Sequence, residues 1–253
     1  MGQHRCGLCV HYRHFFLGLS SALFGRFVER RGPRFSALVA AVLFAGGTIG
    51  AGLSIAAGSL WGFYLTYGAL GGLGLGIGYI SPVSTLVKWF PNRRGLATGM
   101  AVFGFGAGSI ITGPIAASLM ERVGIPSTFY ILGSSYLILM FLGAFYIERP
   151  PEGWMPAGMR KEKEAGGVRV QADLAQLTAN EAVRTRRFWM LWIMMFINIS
   201  AGMMLISVAS PMAQEKVGMT AIAAASMVGL MGIFNGGGRI GWAATTSVAR
   251  TST

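Results

Sequence analysis

Long uncharged stretches broken by short basic links set the pattern of this chain. From Phe35 to Val87, 53 residues pass without a Lys, Arg, Asp or Glu. Uncharged runs and turn residues mark seven apolar segments, A to G, at about 15–25, 35–57, 60–87, 95–120, 127–147, 188–210 and 221–246. A helix rises about 1.5 Å per residue, so about 23 residues cover a hydrocarbon core of roughly 30 Å; segments B to G are long enough. Lipid offers no partner for backbone N–H and C=O groups, so each span must be helical. Pro82 and Pro114 fall inside spans and predict kinks or helix ends there. Segment A is short, with 12 uncharged residues from His14 to Gly25.

Composition sharpens this picture. Hydrophobic residues make up 53% and charged residues 12%, against roughly 25% charged in soluble proteins. A soluble enzyme is excluded, and an all-α polytopic membrane protein remains. The formal charge of +12 would suggest nucleic acid in a soluble chain. Here the basic residues gather in alternate links: Arg26, Arg30, Arg31 and Arg34 between A and B, Lys88, Arg93 and Arg94 between C and D, and Arg184, Arg186 and Arg187 before F. Arg250 follows G, and the intervening links are nearly neutral. The positive-inside rule then places the A–B, C–D and E–F links and the carboxyl end in the cytoplasm. The expected setting is a plasma (inner) membrane, the partner is the lipid bilayer, and no nucleic acid is expected.

That orientation puts residues 1–14 outside as an atypical tail, although they carry Arg5 and Arg13 and no acidic residue. A further span is expected before A, and the chain reads as cut at both ends. Cys6 and Cys9 with His4 and His11 are poorly spaced for zinc, so no metal and no cofactor are expected. Residues 15–147 would form five spans of one lobe, 148–187 a cytoplasmic loop, and 188–253 the first two spans of another lobe. Within the loop, Thr178 and Glu181 have the spacing of a capping box that starts a short helix.

Glycine accounts for 38 residues, about twice the usual share. Gly68, Gly72 and Gly76 recur every four residues in C, Gly74 and Gly78 form a neighbouring stripe, and Gly104 and Gly108 repeat the spacing in D. Such stripes let helix backbones approach closely in lipid. They serve either a static seam or a surface on which helices rock.

One ionisable side chain stands well inside a span. Arg239 follows 22 uncharged residues from Val217 and precedes ten from Ile240. A guanidinium in lipid is costly and faces a cavity, a partner or the headgroups. No Asp or Glu lies inside a span to pair with it, and its fork of donors suits a small carboxylate. Two readings stand open, an anion-binding cavity and snorkelling to lipid phosphate. Gly236, Gly237 and Gly238 favour the cavity by removing bulk, Asn235 one turn earlier is placed to orient Arg or ligand, and Asn198 in F is a weaker pocket candidate. The absence of a carboxylate or histidine from the spans favours exchange or facilitated diffusion over proton coupling.

The link from Gly25 to Arg34 resembles the loop signature of the major facilitator superfamily between its second and third helices. By that resemblance Gly25, Glu29, Arg30, Gly32 and Arg34 would form a cytoplasmic gate. Glu29 replaces the usual Asp, and Pro33 replaces an Arg. Gly113-Pro114 resembles the Gly-Pro kink of the fifth helix. The run from Ser81 to Gly99, with Lys88-Trp89-Phe90-Pro91, the Pro151-Glu152-Gly153-Trp154 phrase and Phe234-Asn235-Gly236-Gly237-Gly238-Arg239 are together similar to the oxalate/formate antiporter branch, related to monocarboxylate carriers. The resemblance implies a partial major facilitator fold in which A to G stand for about seven helices, the second to eighth of twelve. It also implies that Arg239 contacts an anionic substrate; the second basic residue of the family's eleventh helix has no counterpart here.

The expectation is therefore a secondary transporter, antiporter or facilitator, of small organic anions such as oxalate or formate by alternating access, and not an enzyme. The alternative is a non-transporting membrane fragment of such a carrier. A heptahelical receptor also fits the count of seven, but G lacks the Lys that would anchor retinal.

Overall fold

The computed structural model describes residues 3–151, 154 and 179–249, with the backbone alone described at 3–11, 92, 105–106, 179–180, 203, 239 and 243–249. The described elements are helical: α1 Gln3–Arg31, α2 Pro33–Ala56, α3 Leu60–Phe63, a π-helical segment Tyr64–Leu70, α4 Gly71–Trp89, a 3-10 turn Pro91–Arg93, α5 Arg94–Val123, α6 Ile125–Tyr146, α7 Ala179–Val183, α8 Arg186–Val217 and α9 Ala221–Ala249. Among the described residues, six stretches are long and apolar enough to cross a membrane, Pro33–Ala56, Leu60–Trp89, Arg94–Val123, Ile125–Tyr146, Arg186–Val217 and Ala221–Trp242. They match segments B to G. Segment A lies within α1, which is not among the six.

The described residues within Met1–Trp154 and Ala221–Thr253 form one compact unit, and those within Met155–Thr220 form a second. The interior of the first is built from small residues. Ala40, Ala41, Ala45 and Ala51 of α2 are fully buried, while Trp61, Phe145 and Phe234 stand exposed. Large apolar groups outside and small ones between helices are what lipid favours, because close van der Waals contact is the attraction left there. Several buried hydroxyls return to their own helix: Thr48 donates to the Phe44 carbonyl at 2.8 Å, Ser54 to Gly50 at 2.8 Å and Thr85 to Ser81 at 2.7 Å, so these three need no water.

The two glycine stripes of segment C serve two different helices. A Cβ at Gly72 would lie 2.7 Å from both the Arg13 carbonyl oxygen and the Phe16 Cβ, and one at Gly76 would lie 2.6 Å from the Leu17 carbonyl oxygen. This stripe seats α1. Gly74 abuts the Phe44 backbone nitrogen, and Gly78 faces Ala40, so the second stripe seats α2. Gly104 and Gly108 behave differently, since a Cβ at either meets nothing within 4 Å. The repeat in D is thus not a helix seam among the described residues; spacing permits close approach, but a partner on that face must supply it.

One further expectation changes. Residues 1–14 were expected as a tail, yet from Gln3 onward they are the first turns of α1; Tyr12 lies against Gly68 of the π-helical segment and Arg13 against Gly72 of α4. Pro82 and Pro114, expected at kinks or helix ends, lie inside α4 and α5. Thr178 lies outside the described residues; α7 begins at Ala179 with Glu181 in its first turn. In the second unit, Thr185 caps α8 by accepting from the Phe188 amide at 3.2 Å. Gly218, with φ of 71°, ends α8 as its amide donates to Gln214 and that of Met219 donates to Ala213, a left-handed cap that favours glycine.

Candidate functional site

The gate-like link folds as one sharp turn. α1 runs to Arg31, Gly32 takes φ of 95°, and Pro33 opens α2 at its first position. The fixed φ of Pro suits a first helical residue, whose amide would have had no helical partner. The departure at Pro33 is therefore a helix start. Arg34, in the first turn of α2, donates to the Phe145 carbonyl at 2.7 Å, at the end of α6. Arg149 answers from the chain after α6, donating to the Val28 carbonyl at 2.9 Å and also to that of Glu29. Each guanidinium thus meets carbonyls at the negative end of another helix. Gly25 stands inside α1 with open space about it, and the Glu29 and Arg30 side chains are exposed.

Next to this link the two tryptophans of the family-like phrases meet. Trp89 Nε1 donates to the Glu148 carbonyl at 2.9 Å, and Trp154 Nε1 donates to the Trp89 carbonyl at 3.4 Å. Their rings are 5.1 Å apart at 67°. Sequence reasoning named both phrases but not their contact.

Arg239 and Asn235 belong to α9, which packs antiparallel on α5. A Cβ at Gly113 would lie 3.4 Å from the Ala225 carbonyl oxygen, one at Gly229 2.8 Å from the Ile110 Cα, and one at Gly236 3.0 Å from the Phe103 Cα. As the number rises along α9 it falls along α5. Gly113-Pro114 is brought to this seam. Gly236 is consumed by it rather than opening a cavity, whereas Cβ positions at Gly237 and Gly238 are open. Arg239 follows just beyond the Gly236 contact; its backbone is helical, and its side chain lies outside those described. Asn235 is exposed. Asn198 lies exposed on α8, in the second unit. Where α4 ends and α5 begins, a shallow cavity of about 400 Å³ is lined by Val87, Arg94, Gly95, Thr98, Gly99 and Val102.

The sequence matches the Major Facilitator Superfamily over residues 14–250. The chain belongs to that superfamily. It is thus a multi-pass membrane protein of a transporter family. It is 31% identical over 224 residues, 88% of this chain and 52% of the relative, to the uncharacterized MFS-type transporter YhjX of Escherichia coli (strain K12). It is 28% identical over 218 residues, 86% of this chain and 48% of the relative, to the oxalate:formate antiporter of Oxalobacter formigenes. Monocarboxylate transporter 12 of Homo sapiens is 38% identical over 92 residues, 36% of this chain and 18% of that protein. The chain spans about half the length of the first two relatives.

Proposed function

We propose that the chain forms part of a secondary carrier of small organic anions, carboxylates such as oxalate or formate, that works by alternating access. The observation that carries this reading is Arg239, a cation on a span whose seam with α5 runs through glycines 229 and 236. The printed names of an oxalate:formate antiporter and a monocarboxylate transporter among the relatives favour a carboxylate. In this reading Arg239 grips the carboxylate with two parallel N–H bonds, and Asn235 adds a polar contact. The α5–α9 seam, where backbone lies against backbone, is the surface on which the helices rock. Gly25, Glu29, Arg30, Gly32 and Arg34, on the cytoplasmic side, fasten and release that motion. The membrane is the plasma (inner) membrane, and α9 is the second span of a following lobe.

The test is counterflow of labelled oxalate and formate by the chain in proteoliposomes. Trans-stimulated uptake is expected, with loss in Arg239→Lys at equal membrane amount. Equal uptake by both would sink the assignment of Arg239. Oxalate binding without counterflow would identify a chain that holds the anion and does not carry it, which is the alternative reading.

A further inference from the structure

A second cation sits inside the first unit, and sequence reasoning had placed it outside the membrane. Arg13 lies on α1 against Gly72, and Gly72 falls well inside the span Leu60–Trp89. Its guanidinium carbon lies 4.3 Å from the Tyr67 ring centroid and 5.1 Å from that of Phe44. Tyr136 lies 5.5 Å from Phe44, ring to ring. Arg13 Nε is buried and has no hydrogen-bond partner. Ring faces stabilise the charge of a guanidinium, but they do not supply the oxygen acceptor its N–H donors require. The carboxylates among the described residues, Glu29, Glu121, Glu148, Glu181 and Glu215, stand at or beyond the ends of helices.

The backbone at this point is also irregular. Tyr67 belongs to the π-helical segment Tyr64–Leu70, and such insertions cluster at functional sites because they re-aim side chains at a cost in hydrogen bonding. Here the wider turn carries Tyr67 over the Arg13 guanidinium while Gly47 closes on the Thr66 carbonyl oxygen, at 2.7 Å from its would-be Cβ.

We propose that Arg13, walled by Tyr67 and Phe44, is a second binding site for a small carboxylate, within the first helical unit. The rings engage the charge of the guanidinium, and its unpartnered Nε–H is a donor left for an oxygen of the anion. This inference rests on the carboxylate-carrier reading for its ligand class. It is independent of Arg239.

The test is arginine modification by phenylglyoxal in the full chain in lipid, read residue by residue by mass spectrometry with oxalate as the probe. Oxalate at about ten times its dissociation constant should slow modification of Arg13 about tenfold, in the native chain and in Arg239→Lys alike, while exposed Arg26 and Arg31 react unchanged. Protection of Arg239 alone would overturn the Arg13 site and leave the carrier reading standing. Protection of Arg13 but not Arg239 would support the site and remove the Arg239 assignment, and protection of neither would overturn both. Three further results also overturn the site: no reaction at Arg13 under any condition, protection that follows added anionic phospholipid rather than oxalate, and protection that vanishes in Arg239→Lys.

Discussion

Gly72 offers a sharp test of the packing argument. A methyl at this position would lie 2.7 Å from the Arg13 carbonyl oxygen and 2.7 Å from the Phe16 Cβ, where ordinary contact begins at 3.4 Å. Both obstacles are fixed to the α1 backbone, so Gly72→Ala must push α1 and α4 apart by about 0.7 Å. A gap of about 0.5–1 Å forfeits a quarter to a half of each dispersion contact. The neighbouring seats at Gly68 against the Tyr12 ring and Gly76 against Leu17 loosen together, because the helices are rigid. Overpacking of this kind costs about 1–3 kcal/mol, offset by up to about 1 kcal/mol from the better helix propensity of Ala. A net loss of about 1–2 kcal/mol is expected, read as a lower midpoint of unfolding by SDS in mixed micelles, followed by circular dichroism. Gly104→Ala is the matched control: same substitution, same four-residue pattern, and open space at the Cβ. It should be neutral or slightly stabilising. Equal destabilisation by the two variants would refute the seam.

Other outcomes follow from the same contacts. Gly32→Ala should destabilise by about 1–2 kcal/mol, because φ of 95° forces a side chain into left-handed backbone; the same SDS titration reads it. Arg149→Gln should lose about 1 kcal/mol and speed amide exchange at the end of α1, where Val28 and Glu29 lose their donor; hydrogen exchange protected as in the native chain would contradict the clamp. Gly236→Leu should separate α9 from α5, since its Cβ already meets the Phe103 Cα at 3.0 Å. A cysteine pair at positions 225 and 113 should then cross-link more slowly than in the chain with Gly236.

The spans B to G were legible because a lipid-facing helix needs an uncharged run of fixed minimum length, and six helices answer to those runs. The basic links were legible for the same reason in reverse. Less could be read where a feature depends on its partner. Residues 1–14 look like a polar tail, yet α1 starts at Gln3, and Tyr12 and Arg13 lie on Gly68 and Gly72 of the glycine stripe. The same pattern at Gly104 and Gly108 has no such partner. The π-helical turn at Tyr64–Leu70 leaves no periodic trace in so glycine-rich a segment, so the approach of Tyr67 to Arg13 could not be read from spacing. The two tryptophans were legible only as parts of separate phrases; their mutual contact comes from the turn after α6, which brings Trp154 onto the end of α4. Of the candidate anion site, the sequence showed a cation on a span, and the fold added the glycine seam beside it.

The most direct measurement is a dipolar distance by solid-state NMR between arginine ¹⁵N nuclei of the chain in lipid and the carbons of ¹³C-oxalate. With a bidentate grip at Arg239, a guanidinium nitrogen should lie within about 4 Å of a carboxylate carbon, and Arg239→Lys should remove the part of the signal owed to that contact. Bound oxalate whose arginine contacts are identical in the native chain and in Arg239→Lys would contradict the account.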